Sequence, residues 1–259
     1  MNSFRAGYAA NGTCAPSRAA LLSGRYGTRF GFEFTPTPPG MSTVVTHLWN
    51  RMPGRLRPAI RLEGEDVAFD AMGMPASEIT LAEVLKQADY HTVHIGKWHL
   101  GGANGMAPHE QGFDESLLMA NGLYLPVDHP GVVNARQEFD PIDRFLWRVM
   151  KHAASFNGGD VFAPAGYVTD YYTDEAVKVI EANADRPFFL YLAQWAPHTP
   201  LQATREDYEA LSHIADPRMR VYAAMIRALD RGVGRVLDAL RTHGLEENTL
   251  VFFSSDNGA

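Results

Sequence analysis

Apolar and polar positions follow two rhythms along this chain. Three short runs dense in β-branched and aromatic residues stand out: Thr92-Val93-His94-Ile95, Phe188-Phe189-Leu190-Tyr191-Leu192-Ala193 and Leu250-Val251-Phe252-Phe253-Ser254. Each is too short for a helix and reads as a buried strand. Elsewhere the period lengthens to that of a helix. Thr80-Leu81-Ala82-Glu83 has capping-box spacing ahead of Val84 and Leu85, and a second helix is expected over 170–184. Val221, Met225, Leu229, Val233, Val236, Leu237 and Leu240 form an apolar stripe, predicting a long helix from Asp216-Pro217 to near Gly244. This alternation predicts an α/β fold with a largely parallel sheet sandwiched between helices. Two stretches resist the pattern: 35–78, with six prolines, and 103–168, loop-rich around an amphipathic helix expected over 141–153 that carries Ile142, Phe145, Leu146 and Val149. Long irregular insertions of this kind wall active sites, so substrate choice is expected to lie in them.

Composition narrows the partners. With 46% hydrophobic and 20% charged residues the chain reads as one ordinary globular domain rather than a disordered one. Its 23 basic and 30 acidic residues give a net charge of −7, which argues against nucleic acid as a partner and requires any anionic ligand to be met by a local cluster. No apolar run reaches the roughly 20 residues that cross a bilayer, so no membrane partner is expected. A single cysteine, Cys14, rules out an internal disulfide and says little about compartment.

Polar, chemically capable residues follow each expected strand. Gly96-Lys97-Trp98-His99 comes after the first, Trp195-Ala196-Pro197-His198 after the second and Ser255-Asp256-Asn257-Gly258 after the third. Ligands of open parallel sheets bind beyond the carboxyl ends of the strands, so the three motifs should converge. Lys97 offers a point charge to an anion, His99 and His198 can move protons, and Asp256 and Asn257 are hard oxygen donors suited to Ca²⁺ or Mg²⁺. Cys14 belongs to Cys14-Ala15-Pro16-Ser17-Arg18, followed by Leu22-Ser23-Gly24-Arg25. Pro16 suits the first position of a helix and Gly24 its end, which would set Cys14 just ahead of a run of free N–H groups. Taken singly, each residue has a plainer reading: a buried small hydrophobe for Cys14, surface side chains for Lys97 and His99, a turn for Asp-Asn-Gly. Their joint order, each after a strand or at a helix start, favours a site.

Cys-x-Pro-Ser-Arg with the trailing Gly24-Arg25 resembles the signature of type I sulfatases, and the likeness extends from Phe4 to Ala259. The resemblance implies an alkaline-phosphatase-like α/β fold and hydrolysis of a sulfate ester to an alcohol and sulfate. It implies that a formylglycine-generating enzyme oxidises Cys14 to formylglycine, and that the substrate is a sulfated small molecule or carbohydrate. By the same likeness residue 14 is the nucleophile, Arg18 fixes it, Lys97 and His198 hold the sulfate, His99 is the base, and Asp256 and Asn257 with residue 14 bind Ca²⁺ (or Mg²⁺). The hydrated aldehyde has two hydroxyls, one to attack sulfur and one whose deprotonation ejects sulfate.

The chain departs from the family pattern in two respects: none of the thirteen residues ahead of Cys14 is acidic, whereas the family carries an aspartate pair on an early strand there that completes the metal site, and the sequence stops two residues after Asn257, whereas the family continues through another active-site lysine and a smaller C-terminal subdomain. Residues 1–259 are therefore expected to be a partial sulfatase catalytic domain, with the complete protein periplasmic or secreted. Two other readings stay open: a phosphodiesterase or phosphonate monoester hydrolase of the same superfamily, and a non-catalytic fragment.

Overall fold

The computed structural model describes residues 8–38 and 67–258, with positions 40, 41, 43, 47 and 51. Its strands, in chain order, are β1 (His91–Gly96), β2 (Glu115–Gly122), β3 (Val132–Ala135), β4 (His152–Phe156), β5 (Val161–Phe162), β6 (Phe188–Ala193) and β7 (Leu201–Thr204). The helices are α1 (Cys14–Ser23), α2 (Leu81–Lys86), α3 (Pro141–Val149), α4 (Val168–Ala182), α5 (Arg205–Glu209) and α6 (Pro217–Thr242).

Five strands form one sheet in the order β5-β4-β2-β1-β6, and β3 pairs with β7 in a separate ribbon. β1 lies inside the sheet, between β2 and β6, and is buried on both faces. Val93 and Ile95 pack under α4 and α6 with Tyr172, Ala176, Val221 and Met225, while His94 faces Trp98 and Phe113 on the side covered by α1 and α2. β6 repeats this alternation: Leu190 and Leu192 point to the first core, Phe189 and Tyr191 to the second. Helices on both faces make the fold α/β, as expected.

The sheet is mixed rather than largely parallel. β2 and β6 run parallel to β1, whereas β4 pairs antiparallel with β2 and β5 antiparallel with β4. The expected third strand does not form: 250–254 has no sheet partner, and Leu250 is 96% and Phe253 73% exposed. An apolar run provides side chains for a strand, but the strand itself requires a neighbour's backbone hydrogen bonds, and among the described residues 250–254 has none.

The helices follow their caps. Thr80 and Glu83 close the expected capping box at α2, and Asp216 accepts from the N–H groups of Arg218 and Met219 at the start of α6. The helix expected over 141–153 stops at Val149, and His152 opens β4; Phe145 and Leu146 are buried, Ile142 and Val149 exposed. No helix among the described residues is long and apolar enough to cross a membrane.

Candidate active site

α1 begins at Cys14 itself, two residues earlier than expected, so Pro16 occupies the third helical position. The change has no energetic consequence for proline, because first-turn N–H groups lack intrahelical partners whichever of those positions it takes. Gly24 closes the helix at φ +66°, in the left-handed conformation. Behind the partly exposed Cys14, Ala15 to Ala20 are buried, which fixes the helix start against the second core.

Gly96 makes the turn out of β1 at φ +107°, and a Cβ there would lie 2.2 Å from the Ala193 carbonyl oxygen. The close approach aligns the ends of β1 and β6, and the Lys97 N–H donates to the same carbonyl at 2.8 Å. Beyond that turn Lys97 is buried and His99 takes a left-handed backbone conformation at φ 65°. His99 Nδ1 lies 3.6 Å from Cys14 Sγ, and its Nε2 lies 3.3 Å from the Pro36 carbonyl oxygen. A carbonyl only accepts, so Nε2 carries the proton and Nδ1 presents its lone pair to residue 14. Burial, then the Lys97 charge, lower the His99 pKa to about 4, leaving the ring neutral at pH 7.

His198 stacks on Trp195 with ring centroids 3.8 Å apart, and the Lys97 ammonium sits 4.8 Å from the Trp195 ring centroid. Tyr124 donates its hydroxyl to the His198 carbonyl at 2.9 Å. His198 Nδ1 donates to the Thr199 carbonyl at 2.6 Å, so Nε2 is an acceptor while the ring is neutral. Burial first and Lys97 second hold His198 at about 4. Lys97 is itself lowered, by burial and by Arg18, with Cys14 and Asp256 acting in the opposite direction.

Arg18 ties the motifs together. Its Nε donates to Asp256 Oδ2 at 2.8 Å, and its terminal nitrogen donates to the Lys97 carbonyl at 2.9 Å and to the Tyr191 hydroxyl at 3.2 Å. Ser17 donates its hydroxyl to the Asp256 carbonyl. These contacts bring Asp256 to the site although no strand precedes it. Asn257 lies beside the helix start, where its side-chain N–H donates to the Gly12 carbonyl at 3.4 Å. Two buried cations, Lys97 and Arg18, thus face one carboxylate, a local positive excess in a chain of net charge −7. An anion is what such a cluster lacks.

Metal ligation is less complete. One Asp256 oxygen is engaged by Arg18, and no three His, Cys, Asp or Glu side chains gather as metal ligands among the described residues. Ca²⁺ takes about six to eight oxygens, so Asp256 and Asn257 do not by themselves fit a full shell.

Sequence reading missed Ser17, Tyr124, Tyr191 and Trp195. Ser17 sat inside the motif and could have been found there; Tyr191 looks like an ordinary strand residue until its hydroxyl is seen on Arg18.

The comparisons with known proteins agree with this geometry. The family model described as Sulfatase matches residues 2–259. The N-acetylgalactosamine-6-sulfatase of Mus musculus is 32% identical over 262 residues, covering 99% of this chain and 43% of that protein. The uncharacterized sulfatase YdeN of Escherichia coli (strain K12) is 30% identical over 269 residues, covering 99% of this chain and 40% of its own length. The chain therefore spans about two fifths of the length of these curated relatives. The crystal structure of Ps i-CgsB superposes with a TM-score of 0.67 at 29% identity, covering 92% of this chain and 46% of that one. With an alkaline-phosphatase-like α/β fold and a family match over all but its first residue, this chain belongs to the Sulfatase family.

Proposed function

We propose that the protein is a sulfuric ester hydrolase acting on a sulfated carbohydrate through formylglycine at position 14, installed by a formylglycine-generating enzyme. The observation that carries this reading is the contact of Cys14 with the neutral, lone-pair-bearing Nδ1 of His99, beside two buried cations with one counter-charge. The substrate class is supported by the mouse relative's name and by a second structure of Ps i-CgsB, in complex with k-i-k-neocarrahexaose.

In this reading Lys97 neutralises the sulfate ester and Arg18 holds the segment that carries residue 14. His99 takes a proton from residue 14 at Nδ1 while the Pro36 carbonyl keeps its Nε2–H in place. His198 offers Nε2. Burial and then the Lys97 charge keep the ring neutral, and an arriving anion opposes the second of these and so raises the affinity of Nε2 for a proton. The modified residue supplies two geminal hydroxyls, which a thiol lacks. Ca²⁺, or Mg²⁺, would use Asp256, Asn257 and residue 14 among its donors.

A substrate panel tests the reading. Protein co-expressed with a formylglycine-generating enzyme should release sulfate from aryl and sugar sulfates and leave phosphate monoesters and diesters largely intact. Turnover of phosphodiesters in preference to sulfates would overturn it.

A further inference from the structure

A cavity of about 690 Å³ opens beside α3 and shares no residue with the Cys14 cluster. Arg51, Arg136, Arg144 and Arg148 line it, and among the described residues none of the four is in an ion pair. The acidic residues on the wall, Asp143 and Glu138, leave the pocket with a positive excess although the whole chain carries −7. Asp143 is 1% exposed, accepts from the Gln137 N–H at 2.7 Å and is engaged by the Trp147 indole, and among the described residues it is in no ion pair with these arginines. Arg144 and Arg148 stand one helical turn apart on α3, an arrangement of like charges that destabilises an empty helix. Arg136 lies over the Trp147 ring at 4.9 Å, and the buried Trp147 indole N–H is directed to the Asp143 carboxylate.

We propose that this pocket is a second anion-binding site, which takes a sulfate or carboxylate of a sulfated oligosaccharide at a position other than the one being cleaved. Its volume exceeds that of one inorganic anion many times over and falls within the range that holds a few sugar units, roughly 300–1,000 Å³. Guanidinium groups suit sulfate and carboxylate because their paired N–H groups engage two oxygens at once. Its lining comes from both long insertions, Arg51 from 35–78 and the other arginines from 103–168, and includes none of the residues assigned to the reaction, so its contribution is to choose the substrate and not to cleave it. The inference rests on the carbohydrate-sulfatase reading above.

Titration calorimetry on the full chain, with a sulfated carrageenan hexasaccharide as the probe, tests it. Arg144→Ala/Arg148→Ala should weaken binding about tenfold or more and flatten its salt dependence. Arg144→Lys/Arg148→Lys should fall between the parent and the alanine variant, because both charges are kept and the paired N–H contacts are lost. The desulfated hexasaccharide should not bind measurably. Hydrolysis of a small aryl sulfate by the matured protein should be the same in parent and variants. Equal affinity of parent and alanine variant, or equal affinity for sulfated and desulfated probe, would overturn the proposal. A loss of aryl-sulfate hydrolysis in step with binding would also overturn it, since the arginines would then be supporting the fold. Failure of the parent to hydrolyse any sulfate would refute the enzyme reading and leave the binding result to stand alone.

Discussion

His99 and His198 set the acid side of the pH response, because burial and the Lys97 charge hold both at about 4 instead of 6.5. A base must be neutral to act, so kcat/KM of the matured protein on an aryl sulfate should stay level through the ordinary histidine range and fall with a midpoint near 4. A midpoint at 6.5 would mean that the base is not in this environment. Stability should follow the same sign. Between 6.5 and about 4 these two rings bind protons in the unfolded chain and refuse them in the folded one, so their contribution to stability is full above 6.5, declines as pH falls and is lost below about 4. His94, fully buried and lowered to about 3, acts in the same direction. The grouping of Cys14, Arg18, Lys97, His99, His198 and Asp256 was legible from motif order. Tyr124 was not, because its work is done on a residue brought to it by the fold, in the bond to the His198 carbonyl across 74 positions.

Gly96 shows how an element end places the Lys97 side chain in the candidate site. Gly96→Ala would force a Cβ to within 2.2 Å of the Ala193 carbonyl at a φ of +107°, parting β1 from β6 where Lys97 begins. The expected cost is about 2–4 kcal/mol in urea denaturation, with sulfate release lost along with it. A variant of unchanged stability would show that the strand ends have room to give. Elements with local signals were legible: β6 was read with the bounds it has, and Thr80 and Asp216 start the helices expected of them. The antiparallel additions β4 and β5 were not, since pairing is decided by residues far apart in sequence. The contact face of α6 is broader than the stripe of large residues, of which Val221, Met225 and Leu240 are buried. Ala224, Ala228 and Gly232 are buried there, and a Cβ on Gly232 would meet the Thr173 hydroxyl at 2.6 Å, so small residues let α4 and α6 close together.

The molecule as a whole is acidic, yet it concentrates buried positive charge at the start of α1, an arrangement that suits an anion and opposes a metal cation. Asp256 and Asn257 offer too few oxygens for a tight site, so calorimetric titration of this 259-residue chain with Ca²⁺ should give a Kd of about 10⁻³ M or weaker. Binding near about 10⁻⁶ M would show that other donors complete the shell. The fate of residue 14 decides the rest. Peptide mass spectrometry of the tryptic fragment holding Cys14, run beside sulfate release from an aryl sulfate on the same co-expressed preparations, measures both halves of the reading together. Sulfate release should rise in proportion to the fraction of residue 14 present as aldehyde, and Cys14→Ala should release none while unfolding at the parent's denaturant concentration. Full activity from protein whose Cys14 remains a thiol would contradict the account.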